Sequence, residues 1–369
     1  MASTNTGNKL GHIERTAAEP RDKSLFTVVL RKIEEVNDQI RLFRLEIPLD
    51  GPQLRFLPGQ WLDVYCPGVP KAGGFTITSP PSKARPSSSA SFIGSTADKE
   101  SPQEKIEENG KEKPQAVPGY VELAVQKSPA NPPAAWLWQE NEKKKKKKEN
   151  DASGPAGIAA DITTTKESII GRELQVRVGG SFVWPPPGIN VRSLRRVVFV
   201  AGGVGINPLI AMASSLVPPL PFEVKFLYSV KDPLQIIGGS GSGSSGEKRT
   251  KKRDARRILF LDRLVEMFEG EGEGKLKGEL KLFLTGGDGD QGEKETSTID
   301  VGETTKIPFL RRRIGISDVE EAIGGTAEKR FSVVHVCGVP DMTDSFVDKL
   351  RNKDGLGMEP HRVLCEKWW

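Results

Sequence analysis

Residues 197–208 read VVFVAGGVGINP. Val197 to Ala201 are five apolar residues in a row, the pattern of a short strand buried on both faces. Gly202, Gly203 and Gly205 follow at once. Pro208 then opens an apolar run, Leu209-Ile210-Ala211-Met212, that reads as a helix. A glycine turn between a strand and a helix N-terminus is a ready anion site, because backbone N–H groups reach a pyrophosphate and the helix dipole favours its charge. Proline suits the first helical turn, where its missing N–H costs nothing. The spacing departs from G-x-G-x-x-G, and no acidic residue stands about 20 positions on, at the end of the next strand. That strand, 224–228, is followed by Ser229 and Lys231. The segment by itself leaves two readings open, a nucleotide site of another type or a tight turn without a ligand.

The second half of the chain alternates strand and helix. Strands are expected at 197–201, 224–228, 280–284 and 332–336, and helices at 208–215, 258–268, 317–323 and 341–350. That order implies an α/β domain with a parallel sheet. The first half is strand-like. Leu25–Ile33, Ile40–Ile47, Tyr120–Gln126 and Leu174–Val178 carry β-branched and apolar residues, and Trp61–Cys66 follows the turn signal Pro58-Gly59. Short strands with few helices suggest an antiparallel barrel. Residues 1–23 are polar and read as a disordered tail. Four stretches, 85–117, 139–166, 238–256 and 286–306, read as low-complexity insertions whose composition cannot bury a core. The expected domains are 24–190 and 195–369.

The chain has 369 residues and a formal net charge of +5. Much of the positive charge lies in Lys143–Lys148 and Lys248–Arg257, runs without interleaved aromatic residues, so no nucleic-acid groove is expected. No apolar run is long enough for a transmembrane helix, and the N-terminal residues lack a secretory apolar region. Cys66, Cys337 and Cys365 are isolated, and His12, His335 and His361 share no ligand spacing, so no metal centre is expected. A reducing, intracellular compartment fits this cysteine usage.

Five motifs in order give the chain a resemblance. These are FLPGQWLDVYCPG at 56–68, GGFTITSPPS at 73–82, AGGVGINP at 201–208, VCGVPDMTDSF at 336–346 and EKWW at 366–369. Together they resemble the ferredoxin–NADP reductase superfamily, in which a flavin-binding barrel precedes a pyridine-nucleotide domain. The resemblance implies an antiparallel β-barrel FAD domain followed by an α/β parallel-sheet NAD(P) domain. It implies that Phe75 stacks on the flavin ring, that the Thr76 hydroxyl meets its N5 edge, and that Ile77 and Thr78 offer backbone groups. Gly73 stands where the family has an arginine that pairs with the flavin pyrophosphate. Asn131 is placed to cap a helix, opened by Pro132 and Pro133, whose N-terminus meets that pyrophosphate in the family. The family's usual hydroxyl is absent there.

By the same resemblance Gly202, Gly203, Val204, Gly205, Ile206, Asn207 and Pro208 cradle the nucleotide pyrophosphate. Ser229 and Lys231 sit where ribose selectivity is set. Cys337, followed by Gly338, lies near the nicotinamide C4 and positions the ring. His335 shares its face on a regular strand, and in a protonated state would lower the thiol pKa. Met342 and Phe346 have core spacing on the next helix. Trp369, or Trp368, shields the flavin. The expected cofactors are FAD and NAD(P)H, with NADH favoured through one branch of the family. The expected partner is an external electron acceptor, the expected state a monomer, and the expected compartment the mitochondrion by resemblance, otherwise the cytoplasm. Two rival readings stand beside the reductase: a nucleotide-binding regulatory or assembly protein that has lost productive flavin binding, and a basic scaffold acting through its lysine-rich loops.

Overall fold

The structure is a computed structural model that describes residues 11–88, 116–139, 168–237, 250–272, 274–286 and 296–367. A short helix, α1 (His12–Arg15), precedes the first sheet. Then come β1 (Phe26–Asn37), β2 (Ile40–Glu46), β3 (Trp61–Tyr65), β4 (Gly73–Thr76), a small hairpin of β5 (Ser87–Ser88) and β6 (Ala116–Val117), β7 (Tyr120–Gln126), α2 (Pro132–Leu137) and β8 (Glu173–Gly179). Six of these strands form one sheet in the order β4-β3-β8-β1-β2-β7, antiparallel at every step. Alternation explains the burial: Phe26, Val28 and Leu30 of β1 point inward while Thr27 and Val29 stay half-buried. The sheet closes on itself. Ile77, just past β4, bridges Leu123 of β7, and the Thr78 N–H donates to the Glu122 carbonyl at 2.8 Å. Closure removes both sheet edges and gives the expected barrel.

The second sheet begins with β9 (Arg196–Gly202), α3 (Ile206–Ala213) and β10 (Glu223–Lys231). A two-stranded ribbon, β11 (Leu234–Ile237) and β12 (Thr250–Arg253), leads to α4 (Leu261–Glu269), β13 (Gly278–Thr285), β14 (Thr296–Val301) and β15 (Thr305–Leu310). Next are α5 (Ile316–Ile323), β16 (Ser332–Cys337), α6 (Pro340–Arg351) and β17 (Val363–Cys365). The strand order is β14-β15-β13-β10-β9-β16-β17, parallel throughout except for the β14–β15 hairpin. The apolar run at 197–201 is buried on both faces because the sheet is covered on both. Val197 and Phe199 pack with Leu209 and Leu264 on the α3–α4 side, and Val198 and Val200 pack with Val319 and Phe346 on the α5–α6 side. Chain order runs one way from β9 through β10 and the other way through β16, so the sheet has its topological switch point between β9 and β16.

Three expectations are corrected. Residues 11–22 are ordered as a strap on the barrel. His12 is buried, Arg21 bridges Gly179, and the Asp22 N–H donates to the Val178 carbonyl at 2.8 Å. The anchor is Asp63, fully buried in β3, which is hydrogen-bonded by His12 at 2.8 Å, Arg21 at 3.0 Å and Arg177 at 2.8 Å. Burial works to raise the Asp63 pKa, but these hydrogen bonds and the Arg21 charge overcome it and hold the group at about 2. Second, the stretch 286–306 is not wholly an insertion. Its end forms β14 and the start of β15, and Ile299 and Val301 enter the core. Third, the end of 238–256 contributes β12 and buries Ala255, and the ends of 85–117 form the β5–β6 hairpin. Residues 89–115, 140–167, 238–249 and 287–295, the lysine run included, lie outside the described residues.

Candidate functional site

The carboxyl ends of β9 and β16 meet at the switch point, where an open α/β sheet offers its binding crevice. The two ends approach closely because both carry glycine. A Cβ on Gly202 would lie 3.3 Å from the Gly338 Cα, and one on Gly205 would collide with the Cys337 carbonyl. Gly203 takes φ +55°, a left-handed conformation that glycine accepts without strain. Helix α3 then starts with Gly205 as its N-cap and no side chain occupying the cap. Met342 of α6 packs over Gly202 and Gly338, and Phe346 one turn on is buried.

A cleft of about 220 Å³ lies over this crevice and is walled on its other side by the barrel. Val204, Gly205, Asn207 and Gly338 line it from the α/β sheet, and Phe75, Thr76 and Asn131 from the barrel side. Gly74, Ala124, Gln126, Ser128 and Ala134 complete the wall. Seven residues singled out in the sequence are thus brought together from segments far apart in the chain. The two halves are tied beside the cleft. Asn207 Nδ2 donates to the Ala124 carbonyl at 3.0 Å, and Arg263 of α4 makes a two-pronged ion pair with Glu122 of β7 at 2.8 and 2.7 Å. Burial opposes the charge on Arg263, but Glu122 outweighs it and raises the guanidinium pKa.

Other expected residues stand elsewhere. Ile77 and Thr78 are buried, and their N–H groups donate to the Gln60 and Glu122 carbonyls in closing the barrel. Gly202, Gly203, Ile206 and Pro208 build the turn and first helical residues behind the cleft wall. Ser229 and Lys231 lie at the carboxyl end of β10, with Ser229 paired to Gly202 and Lys231 exposed. Cys337 is fully buried, so its neighbour Gly338, not its own side chain, forms the cleft wall. His335 is equally buried, among Phe182, Trp184 and Phe199, and neither ring nitrogen has a hydrogen-bond partner among the described residues. Burial pushes its pKa down to about 3, so at neutral pH the ring carries no charge and cannot depress the Cys337 thiol. Trp368 and Trp369 lie outside the described residues.

Sequence reasoning missed Ala124, Gln126 and Ser128. The available signal was alternation, since residues 124 and 126 share one face of β7. A larger cavity, about 420 Å³, lies between the strap and β17, and none of the residues expected at a site lines it. Glu366 is buried there with both carboxyl oxygens unpartnered among the described residues, and burial raises its pKa well above the usual range. Among the described residues no cluster of His, Cys, Asp or Glu could hold a metal ion, and no helix is long and apolar enough to cross a membrane.

A closed antiparallel barrel, a parallel sheet behind it and a cleft at the junction define the ferredoxin-reductase-like fold. Solved structures share it. The chain superposes on a cytochrome P450 reductase from Amycolatopsis with a TM-score of 0.51 at 15% identity, covering 95% of this chain and 71% of that one. The CS-b5R domains of a human protein in its NAD+ form give 0.50 at 15% identity, with 93% and 70% covered. In sequence the chain is similar over nearly its whole length to oxidoreductase NAD-binding domain-containing protein 1. It is 24% identical to that protein of Danio rerio, covering 97% of both chains, and 24% identical to that of Homo sapiens, covering 98% of this chain and 85% of the other. No family model matches the chain.

Proposed function

We propose that the chain is an NAD(P)H-dependent flavin oxidoreductase. In this reading residues 24–190 form the flavin-binding domain and 195–369 the nucleotide-binding domain. The observation that carries it is the meeting of Phe75 and Thr76 with Val204, Gly205 and Gly338 on one cleft at the switch point. The residues fit a nicotinamide nucleotide, because the glycine turn leads into a helix N-terminus with no side chain over it. They also fit a flavin ring, because the cleft has an aromatic wall and a buried acceptor, Asn207 Oδ1, without a partner among the described residues. When bound, the pair supplies hydride transfer from nicotinamide C4 to flavin N5, a solvent proton completing the two-electron reduction.

The chain's own part is placement. Phe75 gives the ring a flat apolar contact and Thr76 a hydroxyl at its edge. Gly202 to Pro208 hold the nucleotide diphosphate, Ser229 and Lys231 frame its ribose, and Cys337 sets the Gly338 backbone against the nicotinamide. Trp369 covers the flavin. NADH is the favoured donor, FAD the flavin the family suggests, and the electrons leave to an external acceptor. The protein acts as a monomer, in the mitochondrion.

Anaerobic NADH added to purified protein supplied with flavin tests the reading. Bleaching of the visible flavin band faster than in free solution is expected, and no acceleration with either NADH or NADPH refutes it. A second reading, a nucleotide-binding regulatory or assembly protein, is favoured by Gly73 in the arginine's place. It predicts NADH binding with no flavin bound.

A further inference from the structure

The barrel wall of the cleft, across from the glycine turn, offers a flavin ring much and a phosphate little. Its wall among the described residues contains no charged side chain. The arginines that bond to the barrel strands lining it are already engaged. Arg21 and Arg177 are bound to Asp63, the register partner of Gly74. Arg263 is bound through both prongs to Glu122. Lys127 stands between the lining residues Gln126 and Ser128, but its amine lies over the Trp138 ring, 5.6 Å from the centroid. The backbone donors at the start of α2 are equally spent. Helix α2 opens with Pro132 and Pro133, which have no N–H, and the next N–H, of Ala134, is taken by the Asn131 side chain. The Ala135 N–H donates to the Asn131 carbonyl. The space above strand β4 is filled as well, since a Cβ on Gly73 would lie 2.6 Å from the Phe75 ring and 2.8 Å from Pro133.

A phosphate brought against this barrel wall would lose its hydration without gaining a charge-assisted partner there, a net cost. A neutral ring loses little and gains the Phe75 surface and the Asn207 acceptor. We infer that the cleft holds its flavin by the ring alone, with no binding energy from the phosphates, so that riboflavin, FMN and FAD bind alike and exchange as diffusible substrates. The inference rests on the flavin reading proposed above.

The test is fluorescence titration of the full chain with riboflavin, FMN and FAD, each at low and high salt. The expected result is three dissociation constants within about threefold of one another, unchanged by salt, since phosphate contacts would be screened by it. Phe75→Ala should weaken all three by a common factor. FMN or FAD binding more than about tenfold tighter than riboflavin overturns the inference and leaves the flavin reading intact; tenfold corresponds to about 1.4 kcal/mol, the contribution of one modest contact. Failure of all three to bind overturns both.

Discussion

Replacing His335 with leucine should make the protein more resistant to acid. The ring is fully buried among three aromatic side chains, neither nitrogen has a partner among the described residues, and its pKa falls from 6.5 to about 3. The sign follows from proton uptake. Below pH 6.5 the unfolded chain binds a proton that the folded chain refuses, so stability is fully present above 6.5 and drains away as pH falls toward 3. The slope is about 1.4 kcal/mol per pH unit, so between pH 7 and pH 5 the loss through this one residue is about 2 kcal/mol. Leucine has nearly the volume of histidine and no proton to bind. Urea denaturation of both proteins at pH 7 and pH 5 reads the effect, and the change in their difference carries the test, since repacking shifts both pH values alike. Glu366 acts in the opposite sense, losing stability as pH rises above the usual carboxylate range, but both proteins contain it and it cancels. A gap that stays constant within about 0.5 kcal/mol between the two pH values refutes the reasoning.

Asp63→Asn should cost about 2–4 kcal/mol at neutral pH, because it strips a buried carboxylate from Arg21 and Arg177. The wild-type advantage is present above 3.8 and is lost as pH falls through about 2, so denaturation curves of the two proteins should converge there, while trypsin at neutral pH should cut the variant's strap first, at Arg15 or Arg21. A double-mutant cycle of Glu122→Gln and Arg263→Met should show a coupling of about 1–2 kcal/mol, and additivity would mean that the pair does not tie the two sheets. Gly205→Ala puts a methyl group against the Cys337 carbonyl and should lower stability by about 1–3 kcal/mol in thermal melts, with NADH binding weakened at least tenfold.

The elements that sequence made legible are those where local pattern and tertiary demand coincide. The run at 197–201 is apolar on both faces because two helical layers cover it, and the glycines after it exist because β9 and β16 nearly touch. Both facts leave a mark on neighbouring residues. The strap does not. Residues 11–22 are polar, and what orders them is a carboxylate far along the chain. The readable trace was Asp63 itself, a lone acid in the apolar strand WLDVY, which needs partners if that strand is buried. In 286–306 composition averaged over the whole stretch hid the alternation of Ile299 and Val301. Those strands are joined by a turn in which Gly302 adopts φ +65°. For the site, sequence supplied the residues of each wall but not which of them face each other. Cys337 and Gly338 are adjacent, and only the depth of β16 in the sheet decides that the glycine reaches the cleft and the thiol does not.

Asn207 lines the cleft and bonds across it to the barrel. By sequence it belongs to the glycine turn, yet its amide nitrogen is bonded to the Ala124 carbonyl on the barrel, so the turn is fastened to the opposite wall of the cleft. Its oxygen is buried without a partner among the described residues, a deficit of about 1–3 kcal/mol that a ligand N–H would relieve. A ring that supplied that N–H would be held by a residue already spanning both sheets, and its position would be fixed relative to the nucleotide turn and to Phe75 at once. The same contact needs no phosphate. A cleft that orients its ligand through a shared residue at the junction can dispense with a charged cradle on the barrel, and Gly73, Pro132 and Pro133 then stand as close packing in place of an anion site.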